Sequence, residues 1–172
     1  MFSRIIKNFF LKRNINKRLD KHQLDYTHHT IKTVGIIVDE TYFTEIDKLI
    51  EELVCKGVDS NAIEVLHFLD KKKKNSDATK NYCVTKNISW SGQIKNEIVS
   101  NFVEKPFDLL INYYDIEKQV LLLITKRSKA KFKVGFETID KRVNHFMINL
   151  PAENYKEFIS ELFKYLKILK KI

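Results

Sequence analysis

Three features of this 172-residue sequence predict an α/β fold built on an open, mostly parallel sheet flanked by helices. Short aliphatic runs alternate with longer segments of helical periodicity along most of the chain. Val34-Gly-Ile-Ile-Val38 and Phe107-Asp-Leu-Leu-Ile-Asn-Tyr113 are apolar at nearly every position, as strands covered on both faces must be. A hydrophobic content of 44%, with only four Gly and two Pro, is enough for a core and excludes low-complexity or collagen-like architecture. The length fits one domain by the usual ~100–200 residues.

The elements follow in order. Residues 2–22 read as a helix, with Phe2, Ile6 and Phe10 one turn apart and Leu11, Ile15 and Leu19 continuing a drifting stripe. Residues 26–30 connect it to the strand at 34–38. Thr44 to Lys56 is a helix with Ile46, Leu49, Ile50, Leu53 and Val54 on one face, and Gly57 is placed to end it. Ala62 to Leu69 is a second strand, Asp70 to Lys80 a Lys-rich loop, and 81–85 a short strand. Gln93 to Phe102 reads as a helix with Ile94, Ile98, Val99 and Phe102 on its face. Pro106 punctuates before the strand at 107–113. Glu117 to Ser128 is a helix burying Val120, Leu121, Leu123 and Ile124. Lys133–Phe136 and 145–150 are short strands, and Ala152 to Ile168 is a closing helix. Strands separated by helices of this length predict a Rossmann-like sheet with helices on both faces. The organisation is a basic helical arm over 1–26 and one α/β domain over 31–172.

Charge is the most informative feature for function. Residues 1–26 hold Arg4, Lys7, Lys12, Arg13, Lys17, Arg18 and Lys21 against Asp20 and Asp25, a net +5 of the chain's +9. A basic, aromatic-rich arm ahead of a folded pattern points to an anionic partner, either RNA, DNA or a membrane surface. The uncharged run Asn8-Phe9-Phe10-Leu11 breaks at Lys12-Arg13, too short for a signal peptide's apolar core, and no stretch of ~20 apolar residues spans a bilayer. Cys55 and Cys83 lack CxxC spacing, which excludes a zinc or redox motif, and Cys55 reads as a small core residue. Two unmatched thiols fit a reducing cytoplasm.

Doubly wound sheets bind ligands at the carboxyl ends of their strands. There the sequence offers Asp39 and Glu40 after the first strand and Asp115 after the strand at 107–113. These could converge as acid, base or Mg²⁺ ligands. The plainer reading has Asp39 or Thr44 capping one helix and Asp115 the next. Neither GxGxxG, GxxxxGK[ST] nor GxSxG occurs, so no cofactor is implied. Ser91-Gly92 starts a helix. His28 and His29, with His22 nearby, read as surface residues of a connector, and His67 and His145 as half-buried strand positions.

Lys126, Arg127, Lys129, Lys131 and Lys133 put five cations into eight residues, and Lys71 to Lys74 add another cluster. Phosphate contact is the functional reading, and a solvated helix end complementing its dipole is the plain one. Phe9, Phe10, Trp90, Tyr113 and Tyr114 could stack on bases, although aromatics at strand or helix spacing more often build core.

Phe107–Tyr113, Leu121-Leu-Leu-Ile124 and the "SKAKFKVGF" segment at 128–136 resemble an uncharacterised bacterial family of short basic α/β proteins. The likeness runs from about residue 31 to the carboxyl end and implies a fold without an activity. Residues 106–136 also resemble the amino-terminal Rossmann-like half of lipopolysaccharide heptosyltransferases, which implies a degenerate glycosyltransferase-like half-domain. The turn after the first strand, Asp39-Glu-Thr-Tyr-Phe43, departs from that family's Gly-Asp turn, and its nucleotide-sugar domain has no counterpart here. No catalytic residue carries over. The expectation is therefore a non-enzymatic cytoplasmic protein that contacts RNA or a ribonucleoprotein such as the ribosome. Arg4, Lys7, Lys12, Arg13, Lys17 and Arg18 would do so with support from Lys126, Arg127, Lys129 and Lys131. The alternatives are a small-ligand domain using the sheet's carboxyl edge, a peripheral membrane-surface protein, or a protein partner or homodimer held through the amino-terminal helix.

Overall fold

The computed structural model describes residues 30–70, 80–89 and 91–172. The expected helix at 2–22, its connector up to residue 29, the Lys71–Lys74 cluster and Trp90 lie outside them. Six strands form one parallel sheet: β1 (Val34–Asp39), β2 (Ile63–Leu69), β3 (Asn81–Val84), β4 (Leu109–Tyr113), β5 (Phe132–Phe136) and β6 (Phe146–Ile148). Their spatial order is β3-β2-β1-β4-β5-β6. Register pairs Val38 with His67 on one side and with Tyr113 on the other, so β1 and β4 end side by side. The chain leaves β1 towards one edge and β4 towards the other. The switch point of the sheet therefore lies between their carboxyl ends, where this topology opens a crevice.

Helices cover both faces. α1 (Ile46–Cys55) and α4 (Tyr155–Ile168) pack on one, burying Val34, Ile36, Val38, Leu109, Ile111 and Tyr113. α2 (Glu97–Glu104) and α3 (Gln119–Arg127) cover the other, over Ile37, Leu66, Leu110 and Tyr114. Alternation along each strand sends successive side chains into opposite cores, which is why β1 and β4 read as nearly continuous apolar runs. Tyr113 anchors the first core: its ring lies 5.1 Å from both Phe136 and Phe158, and its hydroxyl donates to the Ala152 carbonyl at 2.6 Å. Both Tyr113 and Tyr114 are buried, so neither offers a face to a base.

Several expected boundaries move for local reasons. The second described helix begins at Glu97 rather than 93, because the Asn96 side chain accepts from the Val99 N–H and caps it. Ile94 instead forms an isolated bridge with Ile88. Val99, Phe102 and Val103 become the buried face, and Ile98 is exposed. In α1 the buried stripe is Ile46, Leu49 and Leu53, leaving Val54 and Cys55 in solvent; Cys55 is thus not a core residue, while Cys83 is buried. Gly57 does end α1, at φ +96, donating its N–H to the Val54 carbonyl. The capping expectations for Asp39, Thr44 and Asp115 do not hold. α1 starts at Glu45 without a side-chain cap and α3 at Lys118, likewise uncapped.

Candidate functional site

At the carboxyl edge, Asp39 is 3% exposed, deep enough that an unpaired carboxylate would be costly. Its Oδ1 accepts from the Thr41 N–H at 3.1 Å, and its carbonyl accepts from the Tyr42 and Phe43 amides, so the residue organises the turn leaving β1. Oδ2 lies 2.6 Å from Lys118 Nζ. The same ammonium is 3.3 Å from Asp70 Oδ1, at the end of β2. It also stands 4.7 Å over the Tyr42 ring and 4.9 Å over Phe68. Beside this group, Glu40 faces His67 Nδ1 at 3.5 Å and Lys80 Nζ at 3.9 Å. The switch point thus holds three carboxylates answered by two lysines and a histidine, all from this chain.

Asp115 does not join them. It is half-buried at the end of β4, and its carbonyl accepts from the Thr138 hydroxyl at 2.7 Å. The expected triad of Asp39, Glu40 and Asp115 is replaced by Asp39, Glu40 and Asp70 around Lys118. One sequence signal pointed to Lys118: a cation at a helix amino terminus opposes the macrodipole, so it needs a carboxylate partner. Among the described residues no three His, Cys, Asp or Glu side chains converge as a metal ion would require. The carboxylate oxygens meet cations of the chain itself, an arrangement that stitches β1, β2 and α3 together across the crevice.

The basic segment at 126–133 is equally self-engaged. Lys129 pairs with Glu104, and Lys131 lies 2.8 Å from Asp108. Lys126 and Arg127 occupy the last turn of α3, where cations complement the helix's carbonyl end. Lys133 is 2% exposed and turns inward, donating to the carbonyls of Thr125 at 2.9 Å and Lys126 at 3.4 Å. It is a buried clamp on the end of α3, and burial lowers its ammonium pKa to about 8. Around it runs a chain of buried polar contacts. The Thr125 hydroxyl donates to Asn112 Oδ1 at 2.9 Å, Asn112 Nδ2 donates to Asn144 Oδ1 at 2.6 Å, and Tyr114 bonds Thr125 at 2.7 Å. Gly135 makes room for Asn144, since a Cβ there would stand 2.5 Å from Asn144 Nδ2. The "SKAKFKVGF" segment is therefore largely structural: the Ser128 hydroxyl accepts from the Ala130 N–H at 3.2 Å, Lys133 clamps the end of α3 and Gly135 makes room for Asn144.

Asp108 ties this segment to the root of the arm. Its Oδ2 accepts from the backbone N–H of Lys32 and Thr33 and from the Thr33 hydroxyl, each at 3.0 Å, while Oδ1 meets Lys131. Burial alone would raise its pKa; the Lys131 bond and the two backbone N–H groups outweigh that and hold it at about 2. Ile31 donates to the Lys171 carbonyl at 3.0 Å. Residues 1–29 thus join the body at the amino edge of the sheet, beside Lys131 and the end of α4. The 71–79 stretch departs from β2 at the opposite, carboxyl edge. Arg4, Lys7, Lys12, Arg13, Lys17 and Arg18, with Phe9 and Phe10, lie outside the described residues.

Residues 7–169 match DUF6913, a family of unknown function, and the chain belongs to that family. No curated protein matches the chain, and no solved structure matches it either.

Proposed function

We propose that this protein is a non-enzymatic, cytoplasmic RNA-binding protein whose near-neutral α/β body holds a basic arm against RNA or a ribonucleoprotein such as the ribosome. One observation carries this. Of the 31 basic and 22 acidic residues, residues 1–29 and 71–79 contain eleven and three, which leaves the described body with twenty against nineteen. The chain's +9 is therefore confined almost wholly to two stretches, and many of the body's own cations, Lys48, Lys105, Lys118, Lys129, Lys131 and Arg142 among them, sit in ion pairs. A composition bias acting everywhere would not sort charge in this way. Arg4, Lys7, Lys12, Arg13, Lys17 and Arg18 are the phosphate-contacting set. Lys126 and Lys131 stand at the edge from which the arm leaves, and Lys131 holds its root through Asp108.

The test is fluorescence anisotropy of the full chain on a structured RNA across a salt series, beside a variant with those six residues changed to Gln. Six phosphate contacts predict a log–log salt slope of roughly −4 to −5. In the variant both affinity and slope should collapse. Salt-insensitive binding, or equal binding by the variant, would remove the proposal. Binding of both proteins to anionic vesicles rather than RNA would favour a membrane surface instead; no helix among the described residues is long and apolar enough to cross one.

The ion-paired crevice supports a second reading as a small-ligand site at the switch point. A ligand there would have to displace Lys118 from Asp39, so the melting-temperature shift on adding a small anion such as inorganic phosphate should differ between the parent chain and Lys118→Met.

A further inference from the structure

Among the described residues β6 ends the sheet, and no strand pairs with its outer backbone edge. Between that edge and α4 runs a groove of about 560 Å³. Phe146, Met147, Leu150 and Tyr165 give it an apolar side, with the Phe146 and Tyr165 rings 4.7 Å apart, and Asn149 and Ser160 add polar groups. Glu157 and Glu161 stand on its α4 side, Glu161 paired with Lys164 at 3.1 Å, and among the described residues no lysine or arginine is part of its lining. Glu157, Glu161 and Tyr165 recur every four residues, and Ile168 and Leu169 continue the same face one turn on. Those two are 63% and 40% exposed. An apolar track therefore runs from β6 to the end of α4, acidic beside Glu157 and Glu161 and with Lys167, Lys170 and Lys171 close in sequence at its far end.

We infer that this track is the docking site for residues 1–29 of the same chain. Three observations select that occupant. The described chain begins beside the track's end, because Ile31 is bonded to the Lys171 carbonyl. The stretch is long enough: even at a helical rise of about 1.5 Å per residue it reaches ~43 Å, against ~12 Å along α4 from Tyr165 to Glu157. Its composition complements the groove, pairing Phe2, Ile6, Phe9 and Phe10 with its apolar side and a net +5 with two carboxylates. An open sheet edge is a surface that proteins cover, and a segment of the same chain covers it without inviting other strands. Docking along the apolar side leaves Lys12, Arg13, Lys17 and Arg18 free to face a polyanion. The inference deepens the RNA reading by saying what aims the arm, and it rests on that reading only for the arm's role.

Limited trypsin digestion of the full chain, without nucleic acid, tests it through the rate of cleavage after Lys12, Arg13, Lys17 and Arg18. Two variants accompany the parent chain: Glu157→Gln with Glu161→Gln in the groove, and Phe9→Ser with Phe10→Ser in the arm. Glu157 and Glu161 lie outside the buried core, and thermal melting of each variant confirms that the body is unchanged. Cleavage several-fold faster in both variants, with amide shifts at Phe146–Leu150 in the arm variant, is the expected result. Equal cleavage in all three proteins would overturn the inference. Protection that disappears on dilution would also overturn it, by assigning the groove to the arm of a second copy. RNA binding is scored separately, so a docked arm that binds no RNA would defeat the functional reading and leave the docking intact.

Discussion

Lys133 is the body's most demanding residue, and replacing it with Met makes a quantitative prediction. Its ammonium is buried beneath α3, and desolvation lowers its pKa from the ordinary 10.5 to about 8. The unfolded chain therefore binds a proton that the folded chain has given up, throughout the window between those two values. Stability must rise with pH in that window, at up to about 1.4 kcal/mol per pH unit. Between pH ~7 and ~9.5 the parent protein should gain about 2 kcal/mol from this group alone. In Lys133→Met that increment disappears, while every other titration is shared by the two proteins. The comparison stops near pH 9.5 because of Tyr113 and Tyr114. Burial raises both phenols, so their contribution is lost as the unfolded chain's tyrosines ionise near ~10. Urea denaturation of both proteins at half-unit pH steps reads the difference directly. Parallel stability curves would refute the buried, charged clamp. The absolute level is a poorer test, because Met removes both a buried charge and the donor to two helix-end carbonyls.

Three further outcomes follow from the same geometry. Lys118→Met leaves Asp39 buried beside no cation and should cost about 3 kcal/mol by denaturant titration, whereas adding Asp39→Asn should recover part of it; additive losses would show the pair to be uncoupled. Asp108 is held at about 2, so its contribution is present above the unfolded value near ~4 and is lost as pH falls from there. Asp108→Asn should flatten acid unfolding between pH ~4 and ~2 by about 1 kcal/mol, and an unchanged acid limb would argue against the hub at the arm's root. Gly135→Ala forces Asn144 away from Asn112 and should cost about 1–3 kcal/mol, an effect that Asn144→Ala ought largely to remove when the two changes are combined and melting is measured.

What the sequence determined by itself is the layered α/β class, the parallel character of the sheet and the identities of most core residues. These depend on local periodicity: β1 and β4 are apolar at nearly every position because both faces are covered, and α1, α3 and α4 repeat every three to four residues. The segregation of charge into 1–29 and 71–79 is likewise plain in the linear chain. Only the tertiary structure decided which charges meet. Lys118 finds Asp39 from 79 positions away because β1 and β4 end side by side at the switch point, a consequence of strand order that no local pattern encodes. The run 126–133 shows the same division. In sequence it is five equivalent cations, but Lys131 reaches an acid at the arm's root, Lys129 reaches one at the end of α2, and Lys133 turns into the core. Alternation along β5 settles that last direction, since the face receiving Lys133 also holds Gly135, and on that face α3 ends with carbonyls needing a donor. A lysine's charge is legible from composition; whether it faces solvent, an acid or a helix end depends on what the fold puts opposite it.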